Sequence, residues 1–355
     1  MGGTNSLMHC GGRSNWRLPF ASILSLIAVV ATPNTSTADE GGVSFWLPGL
    51  YGSLAALPAQ PGWSFATIYY HTSLNAGGNV AAAREVTIGK LNPTVNVNLN
   101  ANLNAQVDLE FLAASYVFQP PVLGGQFALG MAGAFGRSNV SIDGTLITPL
   151  GTRQGSISDS RGGVADLYPT AAIKWNQGVH NFMTYVTGDI PVGTYDSDRL
   201  ANFGIGHAAI DSGVGYTYFN PQTGREFSAV TGLTYNFKNT ETDYQNGIDW
   251  HLDCGLSQFV SKQVHIGAVG YFYQQLTADS GAPPILGDFK SRVVGIGPQI
   301  GFIFPVGNMQ GYLNFKGYKE FDAENRPEGW NAWVTFAISP AAAAPPTPQL
   351  KLVRK

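Results

Sequence analysis

The stretch VNVNLNANLNAQVDLEF, Val95 to Phe111, alternates apolar and polar residues over seventeen positions without a break. Successive side chains of a strand point to opposite faces, so this spacing predicts a β-strand with one greasy face and one face of amides and acids. A helix would scatter the same residues around its circumference, and Asn is a poor helix former. The strand-like segment continues to Phe118, with both faces mostly apolar over 109–118, and ends at the turn QPPVLGGQ (119–126). A tilted membrane-spanning strand takes only about 9–11 residues. The half next to the short turn, LEFLAASYVF (109–118), is therefore the expected span. The polar row Asn96, Asn98, Asn100, Asn102, Asn104, Gln106, Asp108 and Glu110 is expected to stand higher. It reads either as the wall of a lumen or vestibule or as the solvated face of a hairpin above the membrane.

The rest of the chain repeats this signal. No helical periodicity of useful length follows residue 62. Instead about twelve strand-like segments occur, at 63–72, 95–118, 125–137, 162–175, 180–190, 208–219, 225–238, 249–260, 264–275, 291–304, 310–319 and 329–338. Short connections rich in Gly, Pro and Asn, such as WNQGVH (175–180), NPQTG (220–224), SKQ (261–263) and PVGNMQ (305–310), alternate with longer polar ones. The longer ones cover 73–94, 138–161, 191–207, 238–248, 276–290 and 320–329. Short turns at one end and long loops at the other are the layout of an outer-membrane barrel. Sheet edges are not tolerated in lipid, so the strands must close on one another. The fold class is all-β, a transmembrane antiparallel up-and-down β-barrel of about 12 strands, spanning 63–339.

Two strands give the faces. In 225–238, Phe227, Ala229, Thr231, Leu233, Tyr235 and Phe237 share a side with aromatics near both ends, as two interfacial girdles require. From Asp249 onward, Asp249, His251 and Asp253 share the opposite kind of face and are expected in the lumen, with Cys254 toward lipid. The segment 264–275 has apolar residues on both sides, which calls either for an apolar patch of interior or for a bulge that exchanges the faces.

The N-terminus carries Arg13 and Arg17, an apolar run from Leu18 to Ala31, and a small-residue site ending Ser36-Thr37-Ala38. Residues 1–38 read as a cleaved signal peptide, too short for a spanning helix of roughly 20 apolar residues. Export with Cys254 as the sole cysteine after residue 38 rules out a disulfide-stapled scaffold. Residues 39–62 are rich in Gly, Pro and aromatics. They are expected to plug the lumen through Trp46, Leu50, Tyr51 and Leu54, or else to serve as a periplasmic linker. Residues 340–355 form a Pro/Ala-rich tail expected to be disordered. With 12% charged residues and a net charge of −3, the chain offers no basic face to nucleic acid.

The blocks PGLYGSLAALPAQPG (48–62), VNVNLNANLNA (95–105), PPVLGGQFALG (120–130), Gly188 to Gly247 and Tyr271 to Phe302 resemble the outer-membrane proteins grouped as the "meta-pathway of phenol degradation" family. The resemblance covers about Gly41 to Ile338. It implies an outer-membrane barrel, distantly similar to channels for long-chain fatty acids and aromatic hydrocarbons, and a link to uptake of aromatic compounds.

No P-loop, HExxH or GxSxG motif is present, and GIGHAA (204–209) lacks the βαβ setting of a dinucleotide fingerprint. Asp249, His251 and Asp253 read as a wet stripe rather than a metal site, and no cofactor is expected. The functional expectation is passive uptake of small apolar or aromatic solutes, with outer-membrane lipid and the barrel-assembly machinery as partners. A structural or surface-binding barrel is the alternative, and an outer-membrane lipid hydrolase a third.

Overall fold

The computed structural model describes residues 44–77, 98–148, 151–281 and 290–341. The signal peptide and its cleavage site, Asn96, and the tail beyond 341 lie outside them. Twelve strands make one closed antiparallel barrel, each paired with its sequence neighbours and the last with the first. They are β1 (Gly62–Gly77), β2 (Asn98–Val117), β3 (Gln126–Thr148), β4 (Gly151–Gln177), β5 (His180–Asp189) and β6 (Ala209–Asn220). The second half comprises β7 (Arg225–Asn236), β8 (Asp249–Phe259), β9 (Val264–Gln275), β10 (Arg292–Val306), β11 (Met309–Glu324) and β12 (Glu328–Pro340). Closure pairs Phe65 with Ile338 and continues to Asn75 with Glu328. It leaves no unpaired edge within the span, which is what allows a sheet to sit in hydrocarbon.

The outside is apolar and ringed by aromatics. Trp63, Phe182 and Phe227 lie exposed near the short-turn end, Tyr69, Tyr235, Phe237 and Trp330 near the long-loop end, and Leu112, Val186, Val214 and Leu256 between them. A band of this kind facing water would be untenable; facing lipid it is the expected surface.

The largest departure from the expected strand bounds lies in β3 and β4. Residues 138–161 are not a polar loop. β3 and β4 run on through them, paired from Gly136 with Gly163 up to Thr148 with Gly151. Alternation persists there, but Ser, Gly and Asn dilute it until it reads as loop. β2, β3 and β4 thus outrun their neighbours and form a three-stranded wing beyond the span. On β9 the choice between apolar interior and bulge is settled. Its pairing with β8 and β10 is continuous, and Val269, Tyr271 and Tyr273 are buried inside with Tyr70, Phe111, Tyr318 and Trp333.

Candidate functional site: the occupied lumen and its cavities

The interior is not an open pore. Residues 44–61 run through the lumen, and their backbone, which forms no regular element of its own, is paired by side chains from the wall. Asp253 on β8 accepts the N–H groups of Gly49 at 2.9 Å and Tyr51 at 3.0 Å. Lys316 on β11 donates to the carbonyls of Gly49 and of Leu50, the latter at 2.8 Å. Glu226 takes the Leu54 N–H at 2.8 Å, Thr217 that of Ala56 at 2.9 Å, and Lys174 donates to the Ala55 carbonyl at 2.7 Å. Buried backbone groups must find partners, and a segment without helix or strand gets them here from charged side chains. Gly49 is required at its position: its φ is +86°, and a Cβ there would lie 2.9 Å from the Tyr318 ring.

The four residues expected in a plug divide in their roles. Trp46 is 2% exposed and stacks on the His251 ring with centroids 3.5 Å apart. Tyr51 stacks on Trp46 at 5.9 Å. Leu54 turns the chain with φ +68°. Leu50 remains 39% exposed and borders a cavity.

Asp249, His251 and Asp253 all face inward and are buried, yet they do not converge. Asp249 accepts from Asn236 at 2.9 Å, Asp253 holds Gly49 and Tyr51, and His251 meets Asp211 at 3.1 Å and Tyr185 at 3.2 Å. A serine–histidine contact does occur, between Ser257 and His265 at 3.2 Å. The other ring nitrogen of His265 meets the Tyr312 hydroxyl, and Ser257 is covered by Ser53.

The amide row corrects the lumen-lining expectation. On β2 it is Leu103, Ala105, Val107 and Leu109 that line the interior, while Asn102, Asn104 and Gln106 are exposed on the opposite face. Asp108 on that outer side binds the Tyr69 hydroxyl at 2.6 Å and His71 at 2.7 Å, and Glu110 binds Thr67. Asn98 and Asn100 belong to the same strand. The loop 190–208 folds inward and covers this apolar face. Leu200 packs on Leu103 and Ile142, and Arg199 binds Asp159 through Nε at 3.1 Å and through Nη2. The Ala201 N–H adds a third bond to Asp159, at 3.0 Å.

Among the described residues, two mostly apolar cavities lie between these parts. One, of about 170 Å³, lies between Trp46 and Leu47 of the lumen segment, Leu103 to Leu109 of β2, and Phe203 and Ile205 of the inward loop. The second, of about 320 Å³, is bordered by Phe45, Leu50, Ile68, Phe111, Tyr168 and Met183. A hollow on the lipid side, bordered by Leu112, Phe135, Val164 and Phe336, is separated from it by little more than Ala113, Ala114, Met131 and Ala132, which border both. Sequence reasoning did not single out Glu226, Lys316, Lys174 or Asp211. Alternation would have put Lys316 inward, but it carries no information about which carbonyl the ammonium meets.

The family model described as "Putative MetA-pathway of phenol degradation" matches residues 61–336. The chain belongs to this family. Among solved structures it is similar to an outer membrane channel from Pseudomonas putida F1, with 15% identity and a TM-score of 0.59 over 82% of this chain and 99% of that one. It also matches a FadL homologue from Pseudomonas aeruginosa at 10% identity over 82% of this chain and 92% of that one, but with a TM-score of 0.35 that likeness carries no weight. No curated protein sequence matches it. The first of these likenesses confirms the barrel; the family gives the link to aromatic catabolism.

Proposed function

We propose that this protein resides in the outer membrane and admits small apolar or aromatic molecules by passive, facilitated diffusion, with no covalent step and no cofactor. The observation that carries this reading is the cavity of about 170 Å³ walled by Leu103, Val107, Leu109, Phe203 and Ile205. A dry apolar cavity of about 150 Å³ holds one benzene ring, so this volume suits a single-ring solute. Sugars and other bulky hydrophilic solutes would have to pass residues 44–61, whose backbone is tied to the wall. An apolar solute has a shorter course through the second cavity and across the Ala113–Ala132 wall into lipid.

The test is uptake of radiolabelled phenol at limiting concentration by host cells that lack the chromosomal copy and carry a plasmid-borne one. The unaltered protein is expected to restore uptake, and Val107→Trp, which fills the cavity, is expected to abolish it while leaving the barrel assembled. Uptake independent of the gene, or unaffected by the tryptophan, would sink the proposal. The first result would favour the second reading, a structural or surface-binding barrel, which the occupied lumen supports. A lipid hydrolase would instead release fatty acid from phospholipid or lipopolysaccharide esters, and the unaltered protein is expected to release none.

A further inference from the structure

The smaller cavity is bordered by a cation with two unpartnered nitrogens among the described residues. Arg326, in the turn between β11 and β12, lines it. Its Nε and Nη1 are buried without a hydrogen-bond partner, and the guanidinium lies 4.8 Å over the Tyr273 ring. It forms no ion pair among the described residues. A buried donor left without an acceptor costs free energy, and a guanidinium stays charged at any pH a protein meets.

The acid beside it is already committed. Glu320 accepts the Tyr271 hydroxyl at 2.7 Å on one oxygen and the Gly329 N–H at 2.8 Å on the other. Two further polar side chains on this wall are also paired. Asn331 donates to the Tyr271 hydroxyl at 3.0 Å and accepts from the Trp333 indole at 2.9 Å, and Ser44 donates to the Trp46 carbonyl at 2.8 Å. Thus a mostly apolar, ring-sized cavity is bordered by a fixed positive charge with open donors at Nε and Nη1, and the Trp46 indole N–H, also buried without a partner, is a further donor on its wall.

From this geometry we infer that the preferred ligand is a small aromatic carboxylate rather than a neutral hydrocarbon. Its ring lies among Leu103, Val107 and Phe203, and its carboxylate accepts from the free N–H groups of Arg326. The inference rests on the reading of this cavity as an aromatic-solute site and adds the charge of the solute. Charge-assisted hydrogen bonds in a water-poor site are the strong kind, and a guanidinium is the side chain suited to a carboxylate.

Equilibrium dialysis of the detergent-solubilised mature protein against radiolabelled benzoate and its neutral near-isostere benzamide tests it. The unaltered protein is expected to bind benzoate at least tenfold more tightly than benzamide. Arg326→Gln is expected to erase that preference while changing benzamide affinity less than twofold. Arg326→Lys, which keeps the charge, retains a preference for the acid, and heat-modifiable gel migration shows that each variant has closed its barrel. Equal affinity for the two ligands in the unaltered protein overturns the inference, as does a preference that survives in Arg326→Gln. Binding of benzamide with no gain for benzoate removes the acid alone, whereas binding of neither removes the aromatic site as well.

Discussion

Asp253 shows how a single side chain can hold an element that has no secondary structure. Its two oxygens take the N–H groups of Gly49 and Tyr51, and Lys316 meets the carbonyls of the same turn. Each hydrogen bond to a charged group contributes about 1.5–3 kcal/mol. Asp253→Ala is therefore expected to destabilise the seating of the lumen segment by roughly 3 kcal/mol or more. In planar bilayers the variant should show larger and noisier ion conductance than the unaltered protein. Identical single-channel traces would mean that the segment is held elsewhere, for instance by Glu226 and Lys174 lower in the lumen.

The β2–β4 wing and the loop 190–208 make one clasp. Leu200 packs on the buried Leu103 and Ile142, with Val140 and Ile157 half-buried beside them, and Arg199 and Ala201 fasten the loop to Asp159 on β4. Arg199 beside it holds the Asp159 carboxyl down at about 2, below the ordinary carboxylate value of about 3.9. A depressed folded-state value means that the contribution is fully present above about pH 4 and is lost as pH falls toward 2. Pepsin cleavage within 194–207 should accordingly stay slow at pH 4 and accelerate near pH 2. In Asp159→Asn it should be fast at both values, and a rate in that variant that matches the unaltered protein at pH 4 would show that the charge pair does not hold the loop.

For the whole molecule the decisive property is the exposed apolar band. Trp63, Leu112, Val214 and Leu256 are all more than half exposed on one continuous outer surface. The mature chain is expected in the detergent-extracted outer-membrane fraction, migrating faster on gels unheated than boiled. Recovery of folded protein from the periplasmic wash would overturn the membrane assignment for every other claim made above.

Alternation along the whole chain, together with the turn residues between its segments, was enough to determine strands, their approximate number and a barrel. Side-chain direction in a strand is local, and lipid forbids open edges, so these follow without knowledge of any contact. Local pattern also placed Asp249, His251 and Asp253 on the inner face. It did not assign the faces of VNVNLNANLNAQVDLEF. Both faces of that strand are chemically plausible walls; unbroken pairing of β2 with β1 and β3 keeps Leu103 and Val107 on the side of the buried Phe111, and Leu200 of the inward loop packs on Leu103. The same holds for the lumen segment and for Arg326. Which carbonyl Lys316 meets, and that Nε and Nη1 of Arg326 meet no acceptor among the described residues, depends on atoms brought together from opposite ends of the chain by barrel closure.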